Sequence, residues 1–344
     1  MAEKKNVLLV GAGGVGTMAA VSLEASGRAS VTAVLRSNFA SVSEHGFNIE
    51  SVDYGSLKAW KPTNIAKQVP DVAQDNLPPF DYIVVATKNC PDVGPAVEEI
   101  IAPAITQGHT VIVLVQNGLN IEKPLIKTFP QNVVLSGISL IGVAEKGHGN
   151  IIHDYHDELI VGAFKNPNIG PDTARAAAAE FVEIYSTSGK VACEHNENVD
   201  FVRWRKLIYN ASFNPISTIT GMDTTRLRLA KTPIETLVKP AMREIWNAAK
   251  AAGHDIPEEH IENTIHIDPL EVYCKPSMLQ DVEKGNYIEY ENILGEPIRE
   301  AEKLGVPIPT LKTLYGLCAA LQWKTKEARG LIELEGSNLV PNEG

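Results

Sequence analysis

The chain has 344 residues, enough for two or three domains of ordinary size. Hydrophobic residues make up 44% and charged residues 21% of it, so the composition excludes a disordered, collagen-like or coiled-coil protein. The 31 lysines and arginines against 42 aspartates and glutamates give a net charge of −11, which argues against a general binder of nucleic acid or of anionic membranes.

Four scattered cysteines indicate the cellular compartment. They form no C-x-x-C pair, a usage typical of reduced thiols in a cytosolic protein; they are Cys90, Cys193, Cys274 and Cys318. The first residues lack the apolar stretch of a signal peptide, and no apolar run approaches the ~20 residues of a membrane helix. We therefore expect a cytoplasmic protein with a small-molecule substrate and neither a nucleic-acid nor a membrane partner. A homodimer is left open.

Short apolar runs alternate with helical stretches in the first part of the chain. The runs predict strands and the intervening segments predict helices, as follows: strands Asn6–Val10, Ser30–Leu35, Tyr82–Ala86 and Thr110–Val115, with helices Thr17–Ala25 and Val93–Ile105. This alternation is typical of a parallel sheet covered on both faces. Four later runs lack long helices between them and predict an antiparallel or mixed extension of the sheet: Asn132–Leu135, Leu140–Val143, Gly149–Ile152 and Glu158–Val161.

The pattern changes to helix in the second part. A helix over Thr173–Tyr185 and a short strand over Lys190–Cys193 precede the change. Five helical segments follow: Val199–Ile219, Pro233–Ala252, Pro257–Ile265, Glu289–Leu304 and Thr310–Leu321. We therefore predict an α/β domain over residues 1–195 and an all-helical domain over residues 196–344, with a frayed tail after Ile332.

A glycine-rich loop directly follows the first strand and opens the first helix. Its residues are Gly11, Ala12, Gly13, Gly14, Val15 and Gly16. Gly11 permits the tight turn, Gly13 lets the backbone approach a pyrophosphate, and Gly16 allows the helix to pack closely on the strand. The helix N-terminus then presents N–H groups to the phosphates. This context predicts a dinucleotide-binding domain with a doubly wound sheet of the Rossmann type.

Arg36 follows the second strand, at the position that selects the cofactor. An NAD site would have Asp or Glu there for the ribose 2′-hydroxyl. A guanidinium can instead pair with a 2′-phosphate, and Ser37 and Asn38 could add hydrogen bonds. We therefore predict NADPH as the cofactor. The alternative is that Arg36 is a solvated surface residue.

Polar residues follow the third and fourth strands. Lys88 comes after the third strand, and Asn117 lies in the segment Gln116–Glu122 after the fourth. Ligands of open α/β sheets collect at the carboxyl ends of the strands, so the joint position favours function. Singly, Lys88 could be a surface lysine and Asn117 part of an ordinary turn.

Lys206, Asn210 and Asn214 are spaced four residues apart. On a continuous helix they would form one stripe beside the apolar residues Leu207 and Ile208. A lysine aligned with two amides on a largely apolar helix is typical of a site, whereas the alternative is a buried polar ladder between helices. Pro215 should kink this helix where it stands.

Taken together, these motifs resemble the ketopantoate reductase (2-dehydropantoate 2-reductase) family over nearly the whole chain. The resemblance rests on the glycine loop, Arg36, the Thr87–Lys88 and Gln116–Glu122 segments, and the run from Trp204 to Pro215. It continues through Ser277–Asp281, Glu289, Gly295 and Gly305–Pro309. It implies an oxidoreductase that reduces ketopantoate to pantoate with NADPH, by hydride transfer to the C2 carbonyl, in pantothenate and coenzyme A biosynthesis.

The resemblance also implies a role for each site residue. Lys206 would be the general acid and Glu289 a second catalytic residue. Asn117, Asn210, Asn214 and Ser277 would bind substrate. The cofactor would be held by the glycine loop, Arg36, Lys88, Asn117, Glu289 and the backbone of Val143, where the family more often has alanine.

Departures from the family pattern leave the substrate open. Leu294 replaces an amide after Glu289, and the loop Thr220–Thr224 lacks an asparagine that some members use. The alternatives are a reductase of another branched-chain 2-oxo acid such as ketoisovalerate, a β-hydroxyacid dehydrogenase, and a non-catalytic NADPH sensor. We expect no metal site, because His153 and His156 should face opposite sides of a strand.

Overall fold

A computed structural model describes residues 4–332 of the chain. Its contacts divide the chain into two compact units, Met1–Val202 and Arg203–Gly344. The division falls inside the helix Val199–Asn210, a little beyond the predicted boundary at residue 195. The predicted frayed tail, residues 333–344, lies outside the described residues.

The first unit alternates strands and helices as predicted. The strands are β1 Lys5–Val10, β2 Ala29–Val34, β3 Phe47–Ser51, β4 Gly55–Trp60, β5 Asn64–Ala66, β6 Tyr82–Val85, β7 Val111–Leu114, β8 Val134–Glu145, β9 Asn150–Ala163 and β10 Ala192–His195. The helices are α1 Gly14–Ala25, α2 Phe39–His45, α3 Val97–Ile101, α4 Lys123–Thr128 and α5 Pro171–Ser186. The predicted helix Val93–Ile105 is wrong in length, because Gly94 adopts a left-handed φ of 76° and the helix starts only after Pro95.

One sheet joins the ten strands of the described residues. Its parallel part runs in the order β5-β2-β1-β6-β7-β8. β9 then pairs antiparallel with β8, and both β3 and β10 pair parallel with β9. The antiparallel extension predicted from the later apolar runs is therefore confirmed. Those four runs merge into the two long strands β8 and β9.

Helices cover both faces of this sheet. Met18 and Leu23 of α1 and Phe181 of α5 pack into the core on one face. Ile101 of α3 and Leu125 of α4 pack into the core on the other face. Apolar residues on both sides of the central strands explain why those strands read as unbroken apolar runs. The predicted doubly wound fold is confirmed.

The second unit is helical throughout its described residues. Its helices are α6 Val199–Asn210, which begins in the first unit, α7 Phe213–Thr220, α8 Thr224–Ala230, α9 Lys239–Ala251, α10 Glu259–Ile265, α11 Ser277–Glu283, α12 Glu296–Lys303 and α13 Pro309–Ala328. Two π-helical turns, Ile234–Val238 and Glu291–Gly295, precede α9 and α12. α7 packs against α11 and α13, and α9 packs against α12 and α13.

Candidate functional site

The glycine loop has the geometry that a dinucleotide-binding turn requires. Gly11 has a φ of 99°, and a Cβ there would lie 2.6 Å from the backbone nitrogen of Thr87. A Cβ on Gly16 would overlap the carbonyl oxygen of Gly11. Both positions therefore need glycine for the fold itself. Gly13 differs, because a Cβ there would meet no heavy atom within 4 Å.

The N-terminus of α1 is suited to a phosphate group. Gly13 is its N-cap residue, and among the described residues no side chain caps the helix and no acidic residue stands in its first turn. The helix therefore directs its positive end and its first N–H groups toward the loop without a competing carboxylate in that turn. Together with the room at Gly13, this local structure fits the pyrophosphate of a dinucleotide.

Val143 lies beside this loop, as the resemblance implied, but not at a strand end. It stands inside β8, and a Cβ added to Gly14 would lie 3.1 Å from its side chain. Val143 therefore packs against the first residue of α1, Gly14. Position 14 requires a small residue because β8 passes close to the start of α1.

Arg36 is exposed in the loop between β2 and α2, where the sequence placed it. Asn38 lies in the same loop. Its side chain is buried, and Nδ2 donates to the carbonyl of Ala12 at 2.9 Å and to Oε1 of Glu145 at 3.1 Å. Asn38 thus ties the Arg36 loop to the glycine loop with both protons of its side-chain amide, and the hydrogen bond that it could add to the cofactor's phosphate stays a prediction.

The ends of β6 and β7 are joined by a side chain that the sequence did not single out. Nε2 of Gln116 donates to the carbonyl of Thr87 at 2.8 Å and to its hydroxyl at 3.1 Å. Because β6 and β7 pair in parallel, the exposed Lys88 and the half-buried Asn117 follow neighbouring strands at one edge of the sheet. The structure therefore brings these two residues to the same edge as Gly11 and Arg36.

The stripe of Lys206, Asn210 and Asn214 is divided between two helices. Lys206 and Asn210 belong to α6 and Asn214 to α7, with the break at Ala211 and Ser212. The single helix predicted over Val199–Ile219 is therefore wrong. Pro215 breaks it four residues upstream rather than at its own position, because proline cannot donate to the carbonyl at i−4 and its ring collides with that group.

Local hydrogen bonds stabilise this break. The N–H of Ala211 still donates to Leu207 at 2.8 Å, whereas that of Ser212 donates to Tyr209, only three residues back. The Ser212 hydroxyl donates to the carbonyl of Ile208 at 2.6 Å. Around the break, Lys206 is half-buried, and Asn210 and Asn214 are buried, at 7% and 2% exposure. These polar side chains are thus largely shielded from water. In such a setting the electrostatic interaction of a cation with a nearby charge is stronger than in bulk water.

Ser277 and Glu289 lie on neighbouring segments of the same unit. Ser277 is exposed at the first residue of α11, the helix that packs against α7. Glu289 is 4% exposed and stands just before the π-helical turn Glu291–Gly295, in a segment that follows α11. Leu294 of that turn is fully buried, so the departure from the family pattern is a packing residue.

Another polar cluster lies in the first unit. The Tyr185 hydroxyl donates to Asp157 at 2.7 Å, and the backbone N–H of Asp157 donates to Asp53 at 2.9 Å. Burial raises the pKa of Asp157 to about 6. Burial also lowers the pKa of His153, whose Nε2 lies 3.6 Å from Asp53.

His153 and His156 contact the same carboxylate, contrary to the expectation that they face apart. His156 pairs through Nδ1 with Asp53, which His153 also approaches. The pairing of β8 with β9 shifts register around Gly142, so side chains in this stretch no longer alternate strictly. Even so, among residues 4–332 no group of three His, Cys, Asp or Glu side chains is arranged to hold a metal ion.

Two further observations concern the described residues as a whole. An apolar cavity of about 310 Å³ lies in the second unit between α7, the first π-helical turn and α13, lined by residues such as Ile216, Leu237 and Leu317. None of the predicted site residues lines it.

Among residues 4–332, no helix combines the length and the apolar character needed to cross a bilayer.

Comparison with known proteins identifies the family. Residues 7–166 match the family described as ketopantoate reductase PanE/ApbA, and residues 198–322 match its C-terminal domain. The chain belongs to the ketopantoate reductase family. It is accordingly an oxidoreductase, with the Rossmann-type sheet and the helical unit of this family.

Individual relatives cover nearly the whole chain. Uncharacterized protein YDL144C of Saccharomyces cerevisiae is 41% identical, over 96% of this chain and 97% of its own. The crystal structure of 2-dehydropantoate 2-reductase from Methylococcus capsulatus is 30% identical, with a TM-score of 0.75 over 93% of this chain and 97% of its own. A D-mandelate dehydrogenase solved with NADH and anilino(oxo)acetate shares the fold at 20% identity, with a TM-score of 0.78 over 93% of this chain and 99% of its own.

Proposed function

We propose that this protein reduces a 2-oxo acid to the 2-hydroxy acid with NADPH, and that ketopantoate is its substrate. The observation that carries the proposal is the half-buried Lys206 next to the buried amides of Asn210 and Asn214 at the α6–α7 break. The name of the Methylococcus relative supports ketopantoate as the substrate. The reaction would supply pantothenate and coenzyme A biosynthesis in the cytoplasm.

The first unit supplies the residues that would hold the cofactor. The glycine loop and the N-terminus of α1 would bind the pyrophosphate, and the exposed Arg36 would bind the 2′-phosphate. Lys88, Asn117 and the backbone of Val143 complete the proposed set. NADPH, when bound, supplies the hydride.

The second unit supplies the proton and the substrate contacts. As the C2 carbonyl is reduced, negative charge develops on its oxygen and requires a positioned donor. The ammonium of Lys206 can stabilise that charge and transfer the proton. Asn210, Asn214 and Ser277 can orient the substrate's carboxylate and hydroxyl groups without adding a competing negative charge. Glu289 is proposed as the second catalytic residue of this site.

A direct assay tests the proposal. The purified chain is mixed with NADPH and, separately, with ketopantoate, ketoisovalerate and pyruvate, and the loss of NADPH absorbance is followed. We expect the highest kcat/KM with ketopantoate. Turnover that is fastest with another 2-oxo acid would replace the substrate but keep the reaction, whereas no turnover with any 2-oxo acid would refute the enzyme proposal.

A second candidate substrate is a smaller branched-chain 2-oxo acid such as ketoisovalerate. The observation in its favour is Leu294, which puts a buried apolar side chain where the family has an amide, five residues after Glu289. An apolar residue there removes a hydrogen-bonding group from the neighbourhood of the site. The assay separates the two candidates, because only ketopantoate carries an additional hydroxyl group to be recognised.

A further inference from the structure

The backbone directly before Glu289 is held by a buried side chain from α13. Gln322 is only 1% exposed, and its Oε1 accepts a hydrogen bond from the N–H of Ile288 at 3.0 Å. Its Nε2 lies 3.4 Å from the carbonyl oxygen of Ile288 and donates to it. One amide therefore pairs with both peptide groups of Ile288, the residue immediately before Glu289.

Two more side chains, one from α13 and one from the residue that follows it, hold the chain around Glu289. Upstream, Arg329 donates through Nε to the carbonyl of Gly285 at 2.8 Å and through Nη2 to Asn286 at 2.9 Å. Downstream, the hydroxyl of Tyr315 donates to Glu291 at 2.6 Å. The segment that carries Glu289 is thus held on both sides by side chains of α13 and of Arg329, the residue directly after it.

A buried glutamine at position 322 lowers the stability of the fold unless its amide is hydrogen-bonded. Burying an amide costs free energy that only its hydrogen bonds offset, whereas leucine or methionine of similar volume would pack in the same place without that cost. The residue's polarity therefore serves the contact with Ile288 rather than the packing of α13.

We propose that Gln322 is a positioning residue for Glu289: it fixes the backbone from which the carboxylate projects. That Glu289 belongs to the site rests on the proposed function. That Gln322 fixes the backbone before Glu289 rests on the hydrogen bonds to Ile288. These two statements can therefore be tested separately.

The first test measures hydrogen exchange and needs no substrate. In Gln322→Leu, amides of residues 285–290 should exchange at least tenfold faster than in the parent protein. Gln322→Glu, which keeps an acceptor for the Ile288 N–H, should recover part of the protection. It also serves as the second variant if Gln322→Leu does not fold. Unchanged exchange in residues 285–290 would overturn the proposal whatever the substrate is.

Glu244, on α9, offers a matched control because it holds the N-terminus of α13. Its buried carboxylate accepts hydrogen bonds from the N–H groups of Thr310 at 2.9 Å and Leu311 at 2.8 Å, at the opposite end of α13. Glu244→Gln should therefore raise exchange near residues 309–312 and leave residues 285–290 as they were. Equal effects of both variants on residues 285–290 would show general loosening of α13 and contradict a specific role for Gln322.

The second test is a double-mutant cycle on turnover. Displacing a reacting group by about 1 Å can lower rate by about a hundredfold, so we expect Gln322→Leu to lower kcat at least tenfold with little change in KM for NADPH. In a Glu289→Gln background the same substitution should have little further effect. Equal losses in both backgrounds would refute action through Glu289. Absence of turnover in the parent protein would refute the proposed function, and hydrogen exchange alone would then decide the positioning.

Discussion

Lys206 carries the most specific chemical prediction at the scale of single residues. Under the proposed mechanism, replacing it by alanine removes both the proton donor and the cation near the developing alkoxide, so kcat should fall by ~10²-fold or more. Lys250→Ala, at an exposed position of α9, is the control and should leave kcat unchanged. Steady-state NADPH oxidation measures both variants, and near-normal turnover of Lys206→Ala would remove it from the proposed mechanism.

Arg36 is the residue proposed to select NADPH over NADH. A hydrogen bond to a charged group contributes about 1.5–3 kcal/mol, so Arg36→Ala should raise KM for NADPH about 10- to 100-fold and barely change KM for NADH. Arg28→Ala is a suitable control, because Arg28 precedes β2 and pairs with Glu183 on α5. An equal rise for both cofactors would argue against recognition of the 2′-phosphate.

The position of a candidate residue was predictable where the motif allows that residue type only one structural role. Gly11, Gly16 and Arg36 stand where the motif and the strand ends placed them. Asn38 was not predictable, because an exposed amide at a phosphate and a buried amide tying two loops together look identical in sequence. Gln322 gave no signal at all, since its partner Ile288 lies 34 positions away in the chain.

At the scale of elements, the loop between β1 and α1 separates two uses of glycine. Gly16→Ala should destabilise the protein by about 3 kcal/mol, because its Cβ would overlap the carbonyl oxygen of Gly11. Gly13→Ala should leave stability almost unchanged, since its Cβ meets no atom within 4 Å, but should weaken NADPH binding tenfold or more.

Urea unfolding and NADPH titration of both variants measure this contrast. The two glycines control for each other, because the substitution is identical and the positions are three residues apart. Loss of folding in Gly13→Ala would show that this glycine serves packing. Full NADPH affinity in Gly13→Ala would show that the backbone there does not approach the cofactor.

The main strands and most helices followed from periodicity, and the failures have local causes. β4 is largely exposed along its length and β5 has only three residues, so neither forms an apolar run. The register shift between β8 and β9 cannot be read from alternation, because a bulge is exactly where alternation stops. Pro215 predicted a disturbance in the helix, but the break stands at the residue whose carbonyl the proline cannot satisfy.

At the scale of the whole molecule, the buried Asp157 makes stability depend on pH. Its pKa rises from 3.8 to about 6 in the folded state because burial disfavours the carboxylate. The folded state therefore holds the proton more tightly, and this contribution to stability is complete below about pH 4 and is lost as pH rises through 6. At about 1.4 kcal/mol per pKa unit, the loss amounts to about 3 kcal/mol.

Asp157→Asn should remove this dependence. The free energy of unfolding of the parent protein, relative to the variant, should fall between pH 4 and pH 7, as measured by urea unfolding at several pH values. His153 has the opposite trend, since burial lowers its pKa, but it is present in both proteins. Asp154→Asn, at an exposed position of the same strand, is the control. A pH-independent difference between Asp157→Asn and the parent would contradict the prediction.

The hydrogen bonds that hold the segment before Glu289 also have a consequence for the synthesis of the protein. Glu289 precedes in the chain the side chains that fasten it, Gln322 and Arg329, so its segment leaves the ribosome before its supports exist. The ten-stranded sheet is already synthesised by then, and domains fold as units, N-terminal first, while synthesis proceeds at about 5–20 residues per second. For about 2 to 8 seconds, a nascent chain should thus be able to fold its sheet while Glu289 still lacks these side chains. Translation arrested just before α13 should yield a chain with a folded sheet in which the segment of Glu289 lacks both of these side chains.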